Sequence, residues 1–102
     1  MAFMNIEGAD EREIGRIDDD AVVYDYDDKR IGRVDGDGDV FDESDRKVGE
    51  VADNGDVFNR DMHRMGRVER DGMVYDVDDH RVGHVKPPHI MFAGAALLLL
   101  FR

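Results

Sequence analysis

Short valine-rich clusters alternate with polar runs from Ile14 to Val85, and the alternation keeps a fixed period. Glycine falls at Gly15, Gly32, Gly49, Gly66 and Gly83, a spacing of 17. Each follows an apolar residue (Ile14, Ile31, Val48, Met65, Val82), and another apolar residue stands two places later (Ile17, Val34, Val51, Val68, Val85). An aromatic recurs in the same register at Tyr24, Phe41, Phe58 and Tyr75, each after Val and before Asp or Asn. Matched columns without an insertion make an internal repeat. Its apolar clusters are short, β-branched and bounded by turn residues, which predicts strands of about five or six residues.

The links between units carry "DG" at 37–38, "NG" at 54–55 and "DG" at 71–72, dipeptides that supply the positive φ of tight hairpin turns. Within units the turns read "DDKR", "SDRK", "DMHR" and "DDHR". The chain thus reads as an up-and-down antiparallel meander with two strands per unit. Four units are complete, from Ala21 to Val85. A degenerate first copy occupies residues 1–20, with Ile6 in the column of Val23 and Glu7 in place of the aromatic. The count is about ten strands, or nine if that first strand fails. Glycine inside a strand lowers stability, so each central glycine marks a bulge, a close neighbour or a position under the aromatic ring. Two hairpin registers remain open: Val40 opposite Val51, or Phe41 opposite Gly49.

After Val85 the pattern stops at "KPPH", where two prolines end strand pairing. Residues 1–88 form the repeat domain, and 89–102 carry the apolar run "IMFAGAALLLLF" closed by Arg102. Its Leu and Ala content favours helix, and a helix apolar on every side is buried on every side, in protein or in lipid. Twelve helical residues span about 18 Å, which matches a short strand and falls below the ~20 residues of a membrane crossing. The expected fold is therefore all-β: a meander closed into a shallow barrel and plugged by an apolar C-terminal helix. The small residues of "AGAA" (93–96) are where the sheet should approach that helix most closely.

Charge narrows the partners. The chain of 102 residues has a formal charge of −11, with 19 Asp, 6 Glu, 11 Arg and 3 Lys. A strongly negative surface repels phosphate backbones and anionic lipid, so nucleic acid is excluded as a main partner. The Asp excess reads either as turn chemistry or as adaptation to high salt. No cysteine is present, which removes disulfides and thiolate metal sites. The N-terminal "MAFMNIEGADERE" lacks the form of a secretory signal, and a cytoplasmic location is expected.

Units of the type "VYDYDDKRIGRV", followed by an apolar C-terminal segment, resemble the four-fold β-flower proteins, small symmetric repeat barrels of bacteria. That shape is similar in turn to Tubby-like and scramblase-like barrels, which wrap strands around an apolar helix. The likeness implies lipid or membrane contact. It supplies no functional residues.

The stretch "DGDGDVFDES" (35–44) looks like a calcium loop, with acids at Asp35, Asp37 and Asp39. An EF-hand needs Gly at position 6 and Glu at position 12, where this chain has Val40 and Arg46. The copies have Ala52, Asn54 and Asp56, then Glu69, Asp71 and Met73, so the acids follow turn chemistry. His63 and His80 share a turn column with Lys29 and Arg46, His84 falls in an exposed strand column, and none of the four histidines, His89 included, is read as part of a zinc pair. Ser44, the one serine, lies in a turn. No catalytic, metal or cofactor site is assigned, and the expected role is a non-catalytic binding or scaffold module with an apolar or lipid ligand. The alternative is a membrane-associated protein with its tail in the bilayer. Basic residues Arg30, Lys47, Arg64 and Arg81 are expected to pair across strands with Asp25, Asp42, Asn59 and Asp76.

Overall fold

A computed structural model describes residues 3–87 and 89–101. Met1, Ala2, Pro88 and Arg102, at the outer bounds of the expected segments, lie outside the described residues. Ten strands follow in chain order: β1 Phe3–Gly8, β2 Glu13–Asp18, β3 Val22–Asp25, β4 Arg30–Val34, β5 Asp39–Asp42, β6 Lys47–Val51, β7 Asp56–Asn59, β8 Arg64–Val68, β9 Met73–Asp76 and β10 Arg81–Val85. One helix, α1, covers Ile90–Leu100. Each strand pairs antiparallel with its chain neighbours, and β1 pairs with β10 to close the barrel. The first hairpin pairs Ile6 with Gly15, as Val23 pairs with Gly32 in the next unit. The symmetry is therefore five-fold, not four-fold: residues 3–18 form a full unit even though Glu7 replaces its aromatic.

The register corrects both alternatives read from the sequence. Val40 stands opposite Gly49 and Phe41 opposite Lys47, leaving Val48 as an extra residue between them. The same bulge recurs as Val57 opposite Gly66 and Phe58 opposite Arg64, and again in the other units. A bulge places two residues of one strand against one of its partner. Here Gly49 is buried and Val48 also packs against the core. Its equivalents Ile14, Ile31, Met65 and Val82 do likewise.

Two rings of apolar side chains fill the barrel wall from inside. One ring is Ile6, Val23, Val40, Val57 and Val74, all fully buried, and the other is Ile17, Val34, Val51, Val68 and Val85. Helix α1 packs against both rings, with Ala93, Ala95 and Ala96 fully buried. The waist is tight where small residues were expected: a Cβ at Gly94 would lie 2.3 Å from the Val68 side chain. Eleven residues give the helix a length of about 16 Å, within the shortest molecular extent of 22 Å.

The glycine column is explained by the same packing. A Cβ at Gly49 would lie 2.2 Å from the Phe58 carbonyl oxygen and 2.7 Å from Leu99 Cδ1. Around the ring, the residue of α1 or its C-cap closest to each glycine changes by one per unit: Leu97 at Gly83, Leu98 at Gly66, Leu99 at Gly49, Leu100 at Gly32 and the C-cap Phe101 at Gly15. At 3.6 residues per turn, five consecutive side chains cover every direction around the axis. A five-fold socket requires this, and it is why α1 has no polar face. The glycines admit a bulge and a close neighbour; the aromatic rings lie on the other face.

Candidate functional site

The turns are built alike. In four of the five units the side chain that opens the within-unit turn accepts backbone N–H bonds from two and four places on; in the first, Gly8 opens the turn and Asp10 accepts the Arg12 N–H instead. Asp25 Oδ1 takes Asp27 and Lys29, both at 2.9 Å. Asp42 takes Ser44 and Arg46, Asn59 takes Asp61 and His63, and Asp76 takes Asp78 and His80. Asp18 and Asp35 do the same for turns between units. Such side-chain caps stand in for a further backbone turn. They account for much of the Asp excess, and they commit the calcium-like Asp35 to holding a turn. The Arg46 N–H chiefly holds the Asp42 carboxyl below its usual range; desolvation opposes it less strongly, and the Ser44 N–H adds to the lowering.

Because those acids are turned inward to the backbone, the expected cross-strand pairs do not form as drawn. Arg30 instead meets Asp45 at 3.5 Å, Lys47 meets Asp39 and Glu50 at 3.2 and 3.3 Å, and Arg64 meets Asp56 at 3.3 Å. Asp39 first, then Glu50, raises the Lys47 ammonium above its ordinary value.

The aromatic column sits on the outer face, where the sequence reading had left its role open. Arg33 lies 4.2 Å over the Phe41 ring and also bonds Asp45. Arg67 lies 4.3 Å over Tyr75 and pairs with Asp79. Arg16 is opposite Tyr24 and pairs with Asp28. A guanidinium between a ring face and a carboxylate serves both by cation–π and by ionic contact. The remaining units change several partners together. Where Glu50 replaces the Arg opposite Phe58, Met62 replaces the acid. Where Glu7 replaces the aromatic, His84 stands opposite it at 3.8 Å, half-buried in the closing seam and not fully solvated as the sequence suggested. These coupled exchanges are visible in the sequence once the register is known.

Two mouths remain. At one, ringed by the within-unit turns, Leu98, Leu100 and Phe101 are half-buried, and a depression of about 430 Å³ carries Asp42, Arg46, Asn59, Arg60 and Asp61 over Leu99. At the other mouth the helix begins. Ile90, Met91 and Phe92 are half-buried there, and His89 stacks on Phe92 with ring centroids 5.8 Å apart. His89 Nε2 also lies 3.3 Å from the Asp19 carbonyl oxygen. Three depressions meet at this point. One of about 550 Å³ is bounded by Asp53, Asn54, Glu69, Arg70, Asp71 and Met91. One of about 280 Å³ joins Asp37 and Asp53 to Met91 and Phe92. One of about 300 Å³ lies against His89 to Phe92 themselves. The sequence reading treated "IMF" as plain helix core and so missed this mouth. The available signal was that bulky residues precede the "AGAA" waist, outside the narrow part of the bore.

No helix among the described residues is long and apolar enough to cross a membrane. A family model whose description is 5-fold beta-flower protein matches residues 3–101. No curated protein and no solved structure matches the chain, and nothing in these comparisons supports a likeness to Tubby-like or scramblase-like barrels.

Proposed function

The chain belongs to the 5-fold beta-flower family, and from that premise we propose that it is a non-catalytic scaffold or binding module, cytoplasmic, that works through its outer surfaces. The observation behind this reading is the filled bore. Ala93, Ala95 and Ala96 have no exposed surface, so an apolar ligand would have to displace the protein's own helix. The turn-opening carboxylates are engaged with backbone N–H groups, which supports a non-catalytic role. The net charge of −11 weighs against nucleic acid and anionic lipid as partners.

The experiment compares the full chain with one ending at Val85, by thermal unfolding and by flotation with liposomes. On this reading the shortened chain loses its cooperative transition, because two rings of valine and isoleucine lose their packing partner. The full chain stays with the protein fraction. A shortened chain that stays folded, together with flotation of the full chain alone, would instead make α1 a membrane anchor.

A further inference from the structure

The mouth at the start of α1 combines an apolar floor with an acidic rim. Met91 borders both the 550 Å³ and the 280 Å³ depressions and lies against the third. Around it the turns between units present Asp37, Asp53, Glu69 and Asp71, with Arg70 as the cation lining these depressions. Asp37 and Asp53 are exposed, and neither carboxylate is used as a turn cap, unlike Asp35 and Asp42. The opposite mouth is acidic too, but its depression sets Arg46 and Arg60 against Asp42 and Asp61, and Asp28, Glu43, Asp45 and Asp79 of its turns are held by Arg16, Lys29, Arg33 and Arg67. A net-acidic rim around a half-buried Met and Phe, in which Arg67 holds Glu69 while Asp37 and Asp53 enter no ion pair among the described residues, calls for a partner with the opposite charge and an apolar centre. Methionine suits such a floor because its flexible thioether adapts to different apolar side chains. A second copy of this chain carries the same −11 charge and is repelled, as is an anionic membrane.

We propose that this mouth docks a short cationic–apolar peptide segment, its apolar side chain seated on Met91 and Phe92 and its Arg or Lys side chains on Asp37 and Asp53. This deepens the scaffold reading by naming the chemistry of the partner. Rim acids steer the encounter and make it salt-dependent, while the apolar seat sets the lifetime of the complex.

The test uses the full chain and a labelled octapeptide, Arg-Arg-Gly-Leu-Leu-Gly-Arg-Arg, followed by fluorescence anisotropy. The double variant Asp37→Lys/Asp53→Lys should weaken binding by at least about tenfold. A variant of equal net charge at the other mouth, Asp27→Lys/Asp78→Lys, should leave affinity within about twofold. Met91→Gln, and a peptide with Ser for both Leu, should each cost about fivefold or more. Circular dichroism on each variant checks that the barrel is intact. Equal losses from the two charge variants would reduce the effect to general attraction and overturn the proposal. So would no binding at all, or binding of phosphatidylserine vesicles in place of the peptide. None of these outcomes touches the scaffold reading, which stands or falls on the shortened chain.

Discussion

The fourth residue of every within-unit turn has positive φ: Glu11 at 66°, Asp28 at 67°, Asp45 at 63°, Met62 at 64° and Asp79 at 66°. Each turn closes through its N–H to the turn-opening carbonyl, as Met62 bonds Asn59 at 2.9 Å. The left-handed region disfavours residues with a Cβ, and Asn or Asp tolerate it best. Met62 is the poorest occupant of the column and is 59% exposed, so its side chain has little packing to lose. Met62→Asn is expected to stabilise the protein by roughly 0.5–1 kcal/mol, read as a higher midpoint in urea. Met62→Asp should gain less, because the equivalent acids elsewhere face Arg and this one faces the Glu50 column. Asp42 titrates below the usual carboxylate range in the folded state because backbone N–H groups bond its charged form. Its contribution is therefore complete above the unfolded-state pKa of about 3.9 and is lost as pH falls through the lower folded value. Asp42→Asn keeps the acceptor, as Asn59 does naturally, and should reduce the acid sensitivity of the melting midpoint while leaving the neutral-pH value nearly unchanged. Asp42→Ala should lower the midpoint at neutral pH as well.

At the level of strands and helix, the glycines divide by what surrounds them. Gly36 has nothing within 4 Å of a Cβ, whereas Gly49 has backbone and Leu99 inside 3 Å. Gly36→Ala should be neutral or stabilising by up to about 1 kcal/mol through the unfolded chain. Gly49→Ala should destabilise by about 1–3 kcal/mol or more through overpacking, and Leu99→Ala by about 2–5 kcal/mol through the cavity it leaves. Chemical denaturation of the three variants checks the ordering. The 17-residue period, the ten strands and the plugging helix were legible in the sequence because apolar periodicity and helix length are local or additive properties. The register was not. It depends on a bulge at Val48, and a bulge moves every later side chain by one place without changing the pattern of letters. That single residue decided whether Gly49 met an aromatic ring or a leucine, and which acids met Arg30 and Lys47. The mouth at Met91 was hidden for a related reason: an apolar residue at a helix start reads the same whether it lies in the bore or just outside it.

For the whole molecule, the acidity has two opposing consequences. Eleven net charges spread over a sphere of about 15 Å radius repel one another by roughly 7 kcal/mol at 0.1 M salt, and by roughly 3 kcal/mol at 1 M, where the screening length falls from about 10 to about 3 Å. An unfolded chain of about twice that radius carries roughly 2 and 1 kcal/mol under the same conditions. Raising the salt therefore favours the folded state by roughly 2–3 kcal/mol. Against this, exposed pairs such as Lys29–Glu43 at 3.8 Å and Arg30–Asp45 at 3.5 Å weaken, but each contributes about 0–1 kcal/mol at the outset. Repulsion wins, and the thermal midpoint should rise between 0.1 and 1 M NaCl by roughly 5–10 °C. The same comparison on Asp27→Lys/Asp78→Lys, which removes four negative charges in net terms, should show a visibly shallower rise. If the wild-type midpoint falls instead, the guanidinium–carboxylate ladder on the outer face holds the barrel together more strongly than its net charge pushes it apart. The acidic excess would then be a by-product of turn capping, with no bearing on the salt the protein works in.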